Sequence, residues 1–470
     1  MAIPVRRAPA LSAVVGAAFV VWGVALGLGA LSDNSFLTHL ATGRLILDRG
    51  SIPGTDPFSF TAGGEPWVVQ SWLAAVLYGA AEELGGGFGL RLLMALTTAA
   101  LAALVWRLTR PAGTLIGRVA VSGLVLGIGT LLWEERPYLI GLVLLATVLL
   151  AAEGGLDPRW LVPVMWIWAN SHGSFPLGLV LLASLAAGRR LDRASADRAR
   201  EAGPELRCLA WAAAGAVLAG VNPLGPRLLV FPLELLSRQA VLANIAEWQA
   251  PTFSGLGQRL FLLEVVAAVV LLVRRPRFRT AVPLVIFTAA ALRGARNVGL
   301  AALVLIPGLA RGVADRGTVT GEHRRPIHVV ALGSFLAVAV VLVAGASRQA
   351  DFRLDAYPVA AVRWLDDADL LEPDTRLVSR DFVGNYLGAL RGTDAPVFID
   401  DRYDMFPTAV IEDYLDLLAG RPDWSAILDR HRTEAVLWNR EEPLGALLAA
   451  SPDWRVAYQD DDWLVAVPTG

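Results

Sequence analysis

The sequence predicts an α-helical polytopic membrane protein of about eleven transmembrane helices, followed by a soluble C-terminal α/β domain. Three observations carry this. Of 470 residues, 55% are hydrophobic and only 18% charged. With a mean hydropathy of +0.52, the chain falls among polytopic membrane proteins. Apolar runs recur through the first three quarters of the chain, and from about residue 347 the composition turns rich in Asp, Arg and Trp. The net charge of -2 supplies no basic field, which argues against a nucleic-acid partner.

The apolar runs read as spans at 11–31, 89–106, 116–133, 137–152, 160–170, 174–188, 208–221, 259–273, 280–292, 298–310 and 327–346. Several are shorter than the roughly 20 residues of a straight crossing. The first span, preceded by Arg6 and Arg7, reads as a retained signal anchor with its N-terminus in the cytoplasm.

Arginine placement gives a second reading of the topology. The chain has no lysine, so arginine carries the positive charge. With alternating spans, the inner segments hold Arg107 and Arg110, then Arg159, then Arg189, Arg190, Arg193, Arg198, Arg200 and Arg207. Arg274, Arg275, Arg277 and Arg279 follow, then Arg311, Arg316, Arg324 and Arg325. This is the positive-inside pattern, and an odd number of spans puts the C-terminus outside. The domains are then a membrane domain at 1–346, with a first outer loop at 32–88, and an outer α/β domain at 347–470.

Within the first loop, 67–84 alternates apolar and polar residues and reads as a helix lying at the interface. The stretch 226–258 has a similar amphipathic character. In the tail, strands are expected at 375–379, 395–400, 434–438, 453–459 and 462–467. Helices are expected at 356–369, 382–391, 407–419, 423–432 and 442–450. The single Cys208 excludes an internal disulfide.

The polar clusters fall at the outer ends of spans. Asp33, Asn34 and His39 follow the first span, with Asp56 and Glu65 behind them. A carboxylate at the membrane boundary has a tunable ionisation, which makes Asp33 the leading candidate residue. Asp56, in Gly54-Thr55-Asp56-Pro57, also reads as a turn residue. Arg136 beside Glu134 and Glu135, His172 in a tight reversal, and Glu247 beside Trp248 are further candidates. Arg293 and Arg296, one helical turn apart, are expected to point the same way, with Asn297 next. Arginine has the planar fork that phosphate oxygens require. Glu264 lies inside a span and has Arg259 as an available partner. Two of the five histidines, His323 and His328, fall on the inner side, so a histidine-rich zinc site is not expected. Asp33 with Asp56 or Glu65 offers carboxylates for a divalent metal, but not at a recognised ligand spacing, so no cofactor is assigned. No phosphate-cradling glycine loop and no nucleophile elbow occur.

Several motifs together resemble a known group. They are Asp33-Asn34-Ser35-Phe36-Leu37-Thr38-His39, Gly50-Ser51-Ile52-Pro53, Asp56-Pro57-Phe58-Ser59-Phe60-Thr61, Pro66-Trp67 and Trp72-Leu73. Trp168-Ala169-Asn170-Ser171-His172-Gly173, Asn222-Pro223-Leu224-Gly225, Glu247-Trp248 and Arg296-Asn297 belong with them. So do Gly384-Asn385-Tyr386-Leu387 and Val397-Phe398-Ile399-Asp400-Asp401-Arg402. Across nearly the whole chain this resembles bacterial integral membrane proteins of the GT-C glycosyltransferase superfamily, in a subgroup largely of unassigned reaction. The resemblance implies a bacterial inner-membrane enzyme that takes a sugar from a polyprenyl-phosphate donor. The acceptor is a glycan, lipid or protein of the cell envelope. It implies Asp33 as general base, with Arg136, His172 and Arg296 on the lipid phosphate. One departure is Leu37-Thr38 before His39, where relatives carry aromatic residues, so the sugar and lipid accepted are left open.

Two other classes compete. A lipid-linked-sugar transporter needs polar groups at the midplane, and Glu264 is the main candidate. A non-catalytic scaffold or cell-envelope binding protein would use the tail. There Asp400, Asp401, Arg402, Tyr403 and Asp404 read as an exposed turn near Trp424, Trp438, Trp454 and Trp463, although such tryptophans are more often core.

Overall fold

The computed structural model describes residues 8–194, 203–237, 246–314 and 323–469. Arg6, Arg7, Arg198, Arg200 and Arg316 of the inner-face pattern lie outside the described residues, as does 238–245 of the second amphipathic stretch.

Helices form at every predicted span. In chain order they are α1 (Leu11–Gly27), α2 (Asn34–Arg49), α3 (Trp72–Leu108), α4 (Leu115–Leu132), α5 (Pro137–Ala152), α6 (Leu161–Ser171), α7 (Pro176–Ala194), α8 (Pro204–Leu218), α9 (Arg227–Ser237), α10 (Leu256–Arg274), α11 (Phe278–Arg293), α12 (Val298–Val313) and α13 (Ile327–Ala346). The tail follows as α14 (Val359–Asp367), β1 (Leu377–Ser379), α15 (Asp381–Arg391), α16 (Thr408–Ala419), α17 (Trp424–Arg430), β2 (Ala435–Asn439), α18 (Pro443–Ala450), β3 (Trp454–Gln459) and β4 (Trp463–Pro468).

Among the described residues, five helical segments are long and apolar enough to cross a membrane: Trp72–Ala112, Leu115–Leu132, Leu256–Arg274, Ala295–Val313 and Ile327–Ala346. Leu11–Gly27 and Pro137–Ala152 are apolar but shorter. The expected eleven crossings therefore exceed what length and composition support. The 11 residues of α6 rise only about 16 Å at 1.5 Å per residue, against about 30 Å of hydrocarbon. The expected interfacial helix at 67–84 begins at Trp72 and continues into α3, with a break at Gly86, where φ is 60°. Glycine alone adopts that backbone without strain.

The residues divide into two units, each discontinuous in sequence. Unit 1 comprises Met1–Leu31, Ala81–Pro232 and Ala243–Asp351; unit 2 comprises Ser32–Ala80, Leu233–Leu242 and Phe352–Gly470. Unit 1 is helical. Its centre is α12, buried from Val298 through Pro307 and contacted by α4, α5, α10 and α11. α1 comes so close to α3 that a Cβ on Gly27 would lie 2.4 Å from the Ala95 nitrogen.

Unit 2 holds a four-stranded sheet in the order β1-β2-β4-β3. β1 and β2 are parallel, and the other pairs are antiparallel. Period-2 alternation assigns its two faces. Val378, Val436, Trp438, Leu464 and Ala466 join one core, which also takes Ala41, Ile46, Phe58 and Trp67 from the first loop. Leu377, Ala435, Leu437, Trp463 and Val465 join the other, with Leu37. Trp438, Trp454 and Trp463 are buried core residues, and Trp424 packs against the first core.

The expected strand 395–400 is instead a bridging segment. Val397 makes isolated bridges to Leu377 of β1 and to Ser59. The Phe60 N–H donates to the Val397 carbonyl, and the Val397 N–H to the Phe58 carbonyl. Its backbone groups are thus satisfied by the first loop rather than by a continuous ladder.

Candidate functional site

In unit 2, the motifs of the first loop and of the tail come together. Asp33 is the N-cap of α2; its carboxylate accepts from the Phe36 N–H at 3.0 Å. Asp33 is half-buried. Beside it, the Asn34 carbonyl accepts from Asn385 Nδ2 at 3.4 Å, and Asn34 Oδ1 from the Tyr357 hydroxyl at 3.4 Å. Asn385 Oδ1 accepts from the Asp401 N–H at 3.0 Å. Asp401 Oδ1 in turn accepts from the Thr38 hydroxyl at 2.9 Å. The departure at Thr38 therefore has a use: its hydroxyl orients the Asp401 carboxylate. Gly384 lets α15 approach the turn, since a Cβ there would lie 2.1 Å from the Ile399 carbonyl oxygen.

A third acid was not singled out from the sequence. Asp381, at the start of α15, accepts from the Tyr403 hydroxyl at 2.9 Å and the Tyr414 hydroxyl at 2.8 Å. Its one sequence signal is an acid at a helix start. Burial pushes the Tyr357 phenol up to about 12, and the charges of Asp33, Asp401 and Asp381 add to the shift. The three acids therefore share one neighbourhood around Tyr357. Burial, followed by Asp381, also raises Tyr403 and Tyr414. These hydroxyls stay protonated donors at any physiological pH.

Asp56 is bound into a different set of contacts, centred on Arg402. Arg402 Nη1 bonds Asp56 Oδ1 at 2.7 Å and Arg402 Nη2 bonds Asp400 Oδ2 at 2.6 Å, with the three side chains at most 6% exposed. Asp56 also accepts from the Phe58 and Ser59 N–H groups and the Ser59 hydroxyl. The guanidinium lies 4.5 Å from the Trp67 ring centroid. Burial alone would lower the pKa of Arg402, but Asp400 and Asp56 outweigh it and raise it. The turn expected to be exposed is thus largely enclosed, because a buried arginine needs paired carboxylates. Asp56 is sealed into that pair and closed to a ligand.

In unit 1, four sequence-selected residues gather. Glu247 bridges two arginines: Arg136 Nη1 at 2.6 Å and Arg296 Nη1 at 3.5 Å. Glu134 holds Arg136 Nε at 3.2 Å. Arg296 lies over the Trp248 ring at 4.3 Å. The Tyr138 hydroxyl donates to the Arg296 carbonyl at 2.8 Å, and its ring meets His172 edge-on at 5.5 Å. His172 Nδ1 accepts from the Ser174 N–H at 3.1 Å, so the neutral ring carries its proton on Nε2.

Arg293 and Arg296 do not share a helix face. Gly294 takes an extended φ of -154°, ending α11, and Ala295–Asn297 form a separate 3-10 turn. Asn297 Nδ2 donates to the Ala290 carbonyl at 3.1 Å, capping the helix end that Gly294 exposes. Arg293 is exposed. His39 lies within α2, half-buried. Glu264 is fully buried in α10, and neither carboxylate oxygen has a hydrogen-bond partner among the described residues. It does not pair with Arg259, whose Nε donates to the Phe253 carbonyl at 2.9 Å. Among the described residues, no three His, Cys, Asp or Glu side chains come together as metal ligands.

A further charge was missed from the sequence because it lies inside an apolar run. Arg91 is fully buried and donates to the Leu28 and Gly29 carbonyls after α1 and to the Ala346 carbonyl at the end of α13. It satisfies carbonyls that helix ends leave unpaired.

No protein-family model and no curated protein matches this sequence. Solved structures do match its fold. The archaeal oligosaccharyltransferase AglB from Archaeoglobus fulgidus, in complex with an inhibitory peptide and a dolichol-phosphate, aligns with TM-score 0.57 and 12% identity over 91% of this chain and 69% of that one. The Archaeoglobus fulgidus oligosaccharyltransferase in the apo form aligns with TM-score 0.54 and 11% identity, over 91% and 70%. The arabinofuranosyltransferase AftD from Mycobacteria aligns with TM-score 0.52 and 13% identity; it covers all of this chain, which spans 40% of AftD. The chain is a helical membrane protein with the fold of the GT-C glycosyltransferases.

Proposed function

We infer that the protein is a membrane glycosyltransferase of the bacterial inner membrane. It transfers a sugar from a polyprenyl-phosphate donor to an extracytoplasmic glycan, lipid or protein of the cell envelope. Asp33 is the general base. Arg136 and Arg296, with His172, hold the lipid phosphate.

The observation that carries this reading is the arginine pair on Glu247. The three side chains are 25–31% exposed, so the guanidinium groups are ordered yet open to an incoming anion. Polyprenyl phosphate is a good leaving group. The step therefore needs charge stabilisation on the phosphate and one base for the acceptor hydroxyl, not a strong acid. Two fixed guanidinium forks supply the first at little reorganisation cost. A half-buried carboxylate beside Asn34 supplies the second. Asp401, oriented by Thr38 and Asn385, is the next candidate base; Asp56 is not, because Arg402 holds it.

The test is sugar transfer by the full chain in nanodiscs. It uses radiolabelled polyprenyl-phosphate sugars and crude envelope acceptor, with Asp33→Asn in parallel. Loss of about 10²–10⁴-fold in the variant, with lipid binding intact, is the expected result. Undiminished transfer by Asp33→Asn would remove that residue from the base role.

A further inference from the structure

We propose that unit 1 binds the phosphate headgroup of an anionic phospholipid in an arginine-lined cleft where α10 and α12 end. The cleft has a volume of about 150 Å³ and is lined by Leu271, Leu272, Arg275, Arg277, Thr280 and Arg311, among others. Both Leu256–Arg274 and Ala295–Val313 are long and apolar enough to cross a membrane. Their shared end is therefore at headgroup depth, with Leu271 and Leu272 one turn further into the apolar layer.

The charges of this cleft are not balanced from within it. Among the described residues no carboxylate lines it. Arg311 bonds Glu153 at 2.6 Å, but Glu153 is shared with Arg279 at 2.9 Å. Asp192, the nearby acid on α7, is taken by the N-terminus of α11, accepting from the Phe278 and Arg279 N–H groups at 2.7 and 3.0 Å. Arg275 Nη1 donates to the Arg311 carbonyl at 3.1 Å, which holds it across the cleft. Arg277 is exposed.

A phosphodiester fits this arrangement. Its oxygens match guanidinium forks and the Thr280 hydroxyl. Its acyl chains fit against the leucines. A soluble phosphate would use the arginines but not the apolar wall. The site does not depend on the catalytic reading, since it lies among different residues and carries a different ligand.

The test measures lipid binding to the delipidated full chain in detergent by native mass spectrometry. Dioleoyl-phosphatidylglycerol is compared with dioleoyl-phosphatidylcholine, and inorganic phosphate serves as competitor. The expected result is a preference for phosphatidylglycerol that weakens about fivefold for each arginine removed in Arg277→Gln and in Arg275→Gln with Arg277→Gln. Arg190→Gln, an exposed arginine on α7, should leave it unchanged. Arg277→Gln alone keeps the test valid if loss of Arg275 disturbs folding. Equal binding of the two lipids, equal loss in Arg190→Gln, or displacement by phosphate at the lipid's own concentration would overturn the proposal.

Discussion

Arg402 in unit 2 and Glu247 in unit 1 are the centres of two charge clusters, one around a cation and one around an acid. The first is one cation between two acids, Asp56 and Asp400, at most 6% exposed. In the second, Glu247 lies between two cations, Arg136 and Arg296, all about a quarter to a third exposed, and Glu134 pairs with Arg136 from the other side. Both join distant parts of the chain. What separates them is water. The buried cluster has every strong bond made internally, and its energetic weight is in holding the first loop to the tail. The open cluster has cations that solvent, and hence a ligand, can reach. Exposure rather than residue type divides the structural cluster from the candidate binding one.

The largest effect that sharpens this contrast is on stability. Arg402→Met leaves Asp56 and Asp400 buried without a counter-charge, and should destabilise unit 2 by about 3–5 kcal/mol. Thermal unfolding followed by tryptophan fluorescence checks it, since Trp438, Trp454 and Trp463 lie in the unit 2 cores. A change below about 1 kcal/mol, the range of exposed pairs, would mean the cluster is not the tie inferred here.

The converse variant belongs to the open cluster. Arg136→Gln with Arg296→Gln should leave the unfolding midpoint nearly unchanged and lower sugar transfer by about 10²–10³-fold, the cost of losing preorganised donors. If unfolding and transfer fall together, both clusters are structural and the contrast fails.

A smaller effect probes the acids around Tyr357. The unfolded phenol titrates near 10 and the folded one near 12. Because the folded value is raised, the stability it contributes is present below about pH 10 and is lost as pH rises through 12. Tyr357→Phe should make unfolding midpoints fall less steeply between those values. Tyr403 and Tyr414, also raised, retain part of the slope. An unaltered slope would mean that burial and the neighbouring acids together do not raise the Tyr357 phenol.

Much of the architecture was legible along the chain. Each apolar run became a helix, and of the tail segments only 395–400 departed in type. These are local properties: hydrophobic periodicity and turn residues act over a few positions. The span count was less legible, because apolar character alone does not distinguish a helix that crosses a bilayer from a shorter one packed within the protein. Arg293 and Arg296 illustrate a local failure, where one extended glycine between them cancelled the helical spacing.

The candidate site was legible only in pieces. Asp33, Arg136, Glu247 and Arg296 could be chosen from their positions at span ends. Partnership could not. Asp56 and Arg402 are 346 residues apart in sequence, and nothing local distinguishes an aspartate in a turn from one sealed against an arginine. Asp381 was missed for the same reason, since its importance comes from Tyr403 and Tyr414 beside it. The sequence by itself determined the class of the protein, its helices and the end of the chain where charge collects. Only the tertiary structure decided which charges are paired, which are buried and which stay open. Pairing energy depends on distance and solvent exposure, and neither is encoded in local spacing.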